Sequence, residues 1–258
     1  MINSLRDYNN LVQRIHNLKE NFQIKININE FRCNYYPLFE LALPAKSQAT
    51  KKVLITAGIH GDEPAGVDAI LTFLEKKYFE PFLDEWVFIF LPCLNPYGYE
   101  KNQRTGKNNI DLNRQFKSMS PPPEVELAKN ILCRQSWNLT VELHEDCDSN
   151  GYYLFIRGQS NSFLNFGRQI LDSVHPIMPI DTRKRIEGIA VNAGIIHEFP
   201  NLNEMEWWPM NVYSTIQNSE CALTLETTTS YPMNTRIKAH LEALRSALSK
   251  FSNYCIDQ

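Results

Sequence analysis

Between residues 23 and 29 the chain alternates Ile24, Ile26 and Ile28 with polar neighbours, the period of a half-buried strand, and 38–43 reads as its antiparallel partner. Residues 53–57 form a continuous apolar run ending at Gly58, as expected for a central strand covered on both faces, and Pro64 then opens a helical pattern through Lys77. A second buried strand, 86–91, stops at Pro92. Residues 93–120 are polar and rich in Asn, Gly and Arg, and a loop of that length inside a domain is usually functional or disordered. Past the prolines at 121–123 come a helix at 124–135 and a strand at 139–143 that delivers His144 at its carboxyl end. A strand at 152–156 and a helix at 163–174 follow. Residues 175–219 are irregular around Trp207-Trp208-Pro209, with a short strand near Ile195. A last buried strand, 221–225, carries Glu226 at its end, and 235–251 is a helix with Ile237, Leu241, Leu244 and Leu248 on one face.

Strands alternating with helices predict an α/β fold. We expect a single domain over residues 1–258, with a mixed, mostly parallel central sheet and helices on both faces, and N-terminal strands and a helix from 1–50 packed on it. Ligands of such sheets bind beyond the carboxyl ends of the strands, which is where His60, Glu63, His144 and Glu226 all fall. At 258 residues and 43% hydrophobic content the chain can bury a full-sized core. A net charge of -3, with no run of basic residues longer than a pair, argues against a nucleic-acid partner. Residues 1–10 lack the apolar stretch of a signal peptide, and no segment offers the roughly 18 apolar residues of a membrane span, so a cytoplasmic protein without a membrane partner is expected. No two of the six cysteines stand in CxxC spacing, and Cys93, Cys133 and Cys221 read as small buried side chains. No heptad or apolar stripe specifies an oligomer.

The chemistry lies at the strand ends. His60-Gly61-Asp62-Glu63 sets an imidazole and a carboxylate three residues apart on a turn into a helix, close enough to grip one ion; a polar turn with Glu63 in the first helical turn is the plainer alternative. His144 is placed as a third ligand, or as a surface histidine among Glu142, Glu145, Asp146 and Asp148. Glu226 leaves a buried strand into the same cleft, where desolvation suits a general base, although a carboxylate capping the turn at 227–229 has the same sequence. Arg104 and Arg114, on the Gly- and Asn-rich loop, are fitted to capture a carboxylate or polarise a carbonyl oxygen, with solvated loop arginines as the alternative.

The segments 58–64 (Gly-Ile-His-Gly-Asp-Glu-Pro), 95–98 (Asn-Pro-Tyr-Gly), Arg104 and 111–116 (Asp-Leu-Asn-Arg-Gln-Phe), followed by His144 and Thr224-Leu225-Glu226, stand in an order and spacing that resembles the zinc carboxypeptidase (M14-like) family. The resemblance implies one zinc ion held by His60, Glu63 and His144, with Asp111 orienting His60. It further implies Arg104 as the oxyanion-stabilising group, Asn113 and Arg114 as the binders of a substrate carboxylate, and Glu226 as the base that deprotonates water. The short interval from His60 to His144 is similar to that of the compact bacterial members, some of which trim murein peptides. It is similar also to the succinylglutamate desuccinylase and aspartoacylase branch, which cleaves N-acyl amino acids. The expected substrate is therefore a short peptide with a free carboxylate, with an N-acyl amino acid as the alternative. An inactive binding module is the third alternative; the loss of Glu226 or a ligand would favour it, and none is lost. Tyr213 and Tyr231 are the candidates for a tyrosine closing over substrate. Specificity is expected in residues 183–213, with Trp207 and Trp208 either lining the pocket or packing in the core, core packing being the preferred reading.

Overall fold

The computed structural model describes residues 6–21, 27–33, 36–158 and 163–254. Helix α1 (Tyr8–Asn21) is followed by strands β1 (Asn27–Cys33) and β2 (Tyr36–Ala42), which pair antiparallel as expected. Positions 27–29 of the predicted first strand fall in β1, while its positions 23–26, with Ile24 and Ile26, lie outside the described residues. Then come β3 (Lys51–Ala57), α2 (Pro64–Glu75), β4 (Trp86–Leu91), α3 (Pro96–Lys101), α4 (Pro123–Cys133), β5 (Trp137–Asp146), β6 (Tyr153–Gly158) and α5 (Phe163–Val174). The chain finishes with β7 (Arg185–Ile186), β8 (Ile189–Ala190), β9 (Ile195–Ile196), α6 (Met210–Ile216), β10 (Ser219–Thr228) and α7 (Met233–Lys250).

One mixed sheet organises these elements, in the order β1-β2-β4-β3-β5-β10-β6-β9, while β7 and β8 form a separate two-residue ribbon. The centre, β4-β3-β5-β10, is parallel throughout, and β6 pairs antiparallel with β10. Alternation along β3 shows why both faces must be covered. Val53 and Ile55 belong to the larger apolar cluster, with side chains of α1, α2, α5 and α7, whereas Leu54 points to the other face, against α4 and α6. The expected single α/β domain with helices on both faces is what the chain forms.

Several elements depart from the sequence reading. The expected loop at 93–120 contains α3, capped by the Asn95 side chain accepting from the Gly98 amide, because an Asn-Pro start is a strong helix-opening signal. β5 and β10 each outrun their apolar cores: the ladder pairs Glu226 with His144 and continues to Thr228 with Asp146, so both residues lie within their strands and not past them. The irregular stretch holds α6, seven residues opened by Pro209, too short to announce itself by periodicity. Cys93 and Cys221 are buried, but Cys133 is exposed at the end of α4, with its sulfur 3.4 Å from the Tyr213 hydroxyl. Among the described residues no helix is long and apolar enough to cross a membrane.

Candidate metal centre and cleft

The turn between β3 and α2 is built by close backbone packing. Gly58 sits at φ 64°, and Gly61 lies so near Gly98 that an added Cβ would fall 1.9 Å from the Gly98 carbonyl carbon. Asn95, fully buried, stitches this turn to the arginine loop: its amide donates to the carbonyls of Ile59 (3.2 Å) and Arg104 (3.3 Å). From the N-terminal side the Arg6 guanidinium donates to the Gly61 carbonyl at 2.6 Å. The motif residues Asn95, Gly98 and Gly61 therefore hold a shape more than they touch a ligand.

That shape presents Glu63 between two imidazoles. Glu63 Oε1 lies 2.8 Å from His60 Nδ1, and Oε2 lies 2.8 Å from His144 Nδ1, all three side chains being buried. The donor atoms fall within 4.8 Å of one another, and two imidazole nitrogens with one carboxylate form a set suited to a catalytic zinc ion. The set fits a divalent cation for a second reason. Burial favours the neutral form of each histidine, yet the Glu63 charge outweighs it and raises both, His144 well above its ordinary value. Glu63 itself is held far below the usual carboxylate range by the two rings, against the opposing effect of burial. A cation supplies between these groups the positive charge that protons otherwise provide.

A pH dependence follows. Glu63 stays ionised, so the protons displaced on metal binding come from the histidines, whose raised pKa values extend that competition towards neutral pH. Zinc affinity measured by chelator competition should weaken as pH falls from 8 to 6, by about tenfold per unit for each proton displaced. A dissociation constant independent of pH would contradict this ligand assignment.

Asp111 is the hub of the surrounding groups. Its Oδ1 is 3.3 Å from His60 Nε2 and accepts from the Asn113 amide, while Oδ2 lies 3.2 Å from Arg104 Nε and 3.5 Å from Arg114 Nε. Although burial opposes it, His60 and Arg104 hold the Asp111 carboxyl down at about 2. Arg104 also reaches Glu63 Oε1 at 3.3 Å, and the Arg114 guanidinium stacks over Trp207 at 4.8 Å. Asn113 uses its side-chain oxygen to accept from the Met210 amide, which opens α6 beside the cleft. Glu226, half-buried, is placed next to His144 by strand register. Burial first, and the charges of Glu63 and Asp146 after it, push its carboxyl up to about 8 against the pull of His144.

Every site residue predicted from sequence lines one cleft of about 840 Å³. Trp207 lines it too, whereas Trp208 packs against the apolar cluster beneath, so the expectation of core packing holds for only one of the pair. Neither Tyr213 nor Tyr231 lines the cleft. Tyr213 is buried on Phe116, and the cleft tyrosine is Tyr153, whose hydroxyl donates to Asp146.

The sequence reading gave no supporting role to three residues, of which Glu142 and Glu145 appeared there only as acidic neighbours of His144. Glu145 is buried, accepts from the Ala65 amide in the first turn of α2 at 2.7 Å, and pairs with Arg236 of α7. His240 is kept neutral by burial, which lowers it to about 3. Its Nε2 lies 3.1 Å from the His144 carbonyl oxygen, and its Nδ1 lies 3.0 Å from the Tyr152 hydroxyl. Glu142, two residues before His144 on the same face of β5, is also buried, and period-two counting back from His144 would have found it.

Comparison with known proteins agrees with this architecture. Among curated relatives, carboxypeptidase D of Mus musculus is 28% identical over 110 residues, covering 36% of this chain and 8% of that protein. Carboxypeptidase 2 of Trichophyton tonsurans is 26% identical over 121 residues, covering 45% and 22%. The matched part thus spans under a tenth of the first relative's length and under a quarter of the second's. Among solved structures, a candidate metallopeptidase from Shewanella amazonensis SB2B superposes with a TM-score of 0.79 at 20% identity, covering 95% of this chain and 93% of that one. A metallo-carboxypeptidase from Burkholderia cenocepacia gives 0.75 at 15% identity, covering 97% and 70%. These likenesses establish the fold. Residues 49–251 match the family described as the succinylglutamate desuccinylase/aspartoacylase catalytic domain, and with its metallocarboxypeptidase-like sheet carrying the His60, Glu63 and His144 cluster, the chain belongs to that family.

Proposed function

We propose that this protein is a zinc-dependent amidohydrolase of the metallocarboxypeptidase kind, acting on short peptides with a free carboxylate. The observation that carries the reading is the placement of Arg104, Asn113 and Arg114 in the same open cleft as the His60, Glu63 and His144 cluster, in a cavity of about 840 Å³ that has room for more than one residue of substrate. Murein peptides are one such substrate class.

In this scheme His60, Glu63 and His144 hold the zinc ion, which when bound supplies a Lewis acid that acidifies water and polarises the scissile carbonyl. Glu226 takes the proton of the attacking water and passes it to the leaving amine. Arg104 turns from Glu63 towards the carbonyl oxygen, where its guanidinium stabilises the charge that develops in the transition state. Arg114, steadied by Trp207, and the Asn113 amide group orient the terminal carboxylate, and Asp111 keeps His60 and both arginines in register.

The second reading is an N-acyl amino acid deacylase, favoured by the family matched over residues 49–251. The same machinery serves both reactions, since each cleaves an amide beside a carboxylate-bearing residue. Purified zinc-loaded protein incubated in parallel with short peptides and with N-acyl amino acids should release C-terminal residues from the peptides. Turnover of the acyl amino acids alone would transfer the protein to the second reading.

A further inference from the structure

Both oxygens of the Glu142 carboxyl are buried without a hydrogen-bond partner among the described residues, and the residue is 2% exposed. Its neighbours in register are Thr56 on β3 and Thr224 on β10, and neither serves it. The Thr56 hydroxyl lies 4.0 Å from the Met210 sulfur, and the Thr224 hydroxyl accepts from the Asn211 amide at 3.2 Å. An acidic group in that position is costly, and a leucine would fill it without the penalty. What Glu142 does face is the metal cluster: Oε2 lies 3.6 Å from His144 Nε2, the ring nitrogen turned away from Glu63. The arrangement mirrors the other histidine, whose Nδ1 meets Glu63 while its Nε2 meets Asp111.

We propose that Glu142 is the positioning residue of His144: its carboxylate accepts a hydrogen bond from Nε2–H, fixing the tautomer that leaves the Nδ1 lone pair for the metal and setting the plane of the ring. The assignment rests on His144 being a zinc ligand, as proposed above. With the ring held as a metal ligand, closing the 3.6 Å approach to hydrogen-bond distance would give the buried carboxylate the partner it lacks among the described residues. His144 is thereby gripped twice, at its ring by Glu142 and at its carbonyl by His240. This departs from a purely structural carboxylate, which is bonded whether or not an ion is present.

Full-length Glu142→Gln and Glu142→Leu, with wild type alongside, test it through zinc dissociation constants from chelator competition, melting of the metal-free proteins, and the His144 Nε2 proton in 15N-histidine-labelled, zinc-loaded samples. Gln keeps an acceptor but not the charge, so affinity should weaken about tenfold, and Leu should approach a hundredfold, the range seen when such partners are removed. The metal-free Leu variant should melt at or above the wild-type temperature, and its Nε2 proton should exchange faster with water. Zinc constants within twofold of wild type in both variants would overturn the assignment. So would a Leu variant that loses zinc only in step with the fold of the metal-free protein, or one whose Nε2 proton stays protected. Wild-type protein without zinc affinity would remove the metal-site reading itself, and this assignment with it; wild type that binds while both variants bind equally removes only the role of Glu142.

Discussion

Glu226→Gln should lower kcat by about a thousandfold, roughly 4 kcal/mol of transition-state stabilisation, while the protein retains its zinc. The substitution keeps the size of the side chain and its place opposite His144 in the sheet but replaces the carboxylate, the proposed acceptor of the water proton, with a non-basic amide. Glu226 does not belong to the buried trio, so metal content measured by atomic emission should match wild type. The pH profile carries the sign. Only an ionised Glu226 accepts a proton, so kcat/KM should rise with pH. Burial holds the carboxyl up at about 8, and a bound dication nearby draws it down, so the acid limb should lie below pH 8. Turnover within a few-fold of wild type, with zinc bound, would show that another group is the base.

Glu145→Ala should be strongly destabilising, at about 3–5 kcal/mol. Glu145 joins three elements: it lies on β5, its carboxylate accepts from the first turn of α2, and it pairs with Arg236 on α7. Removing it leaves the Arg236 guanidinium, largely buried and already with its Nε unpaired, facing no charge, and opens the start of the helix that follows Glu63. Chemical denaturation should show the loss directly, and for a chain of this size the melting temperature should fall by about 10 °C. A loss below 1 kcal/mol would mean that solvent or a rearranged neighbour satisfies Arg236. The acidic run after His144 thus divides by role: Glu145 braces the helix, while Asp146 ties to Arg183 and Tyr153 at the cleft wall.

The period of the apolar residues was enough to locate the central strands and the long helices, because a strand covered on both faces and an amphipathic helix each leave a local signature. Strand β4 was legible to the residue from Trp86 to Leu91, and so was α5 from Phe163 to Val174. The residues of the candidate site stood out for a different reason. Ion-binding and acid-base chemistry admit few side chains, and His60 with Glu63 stands at a strand-to-helix turn where such chemistry belongs. The tertiary structure alone decided how far these groups converge. A parallel register that sets Glu226 beside His144 depends on pairing between segments far apart in sequence. Glu142, Glu145 and His240 owe their roles to neighbours on other elements, since a carboxylate or imidazole declares itself only by what it is buried against. The same holds for Trp207 and Trp208, adjacent and chemically identical, of which one lines the cleft and the other packs beneath it, because side-chain direction is set by the backbone path and not by residue type.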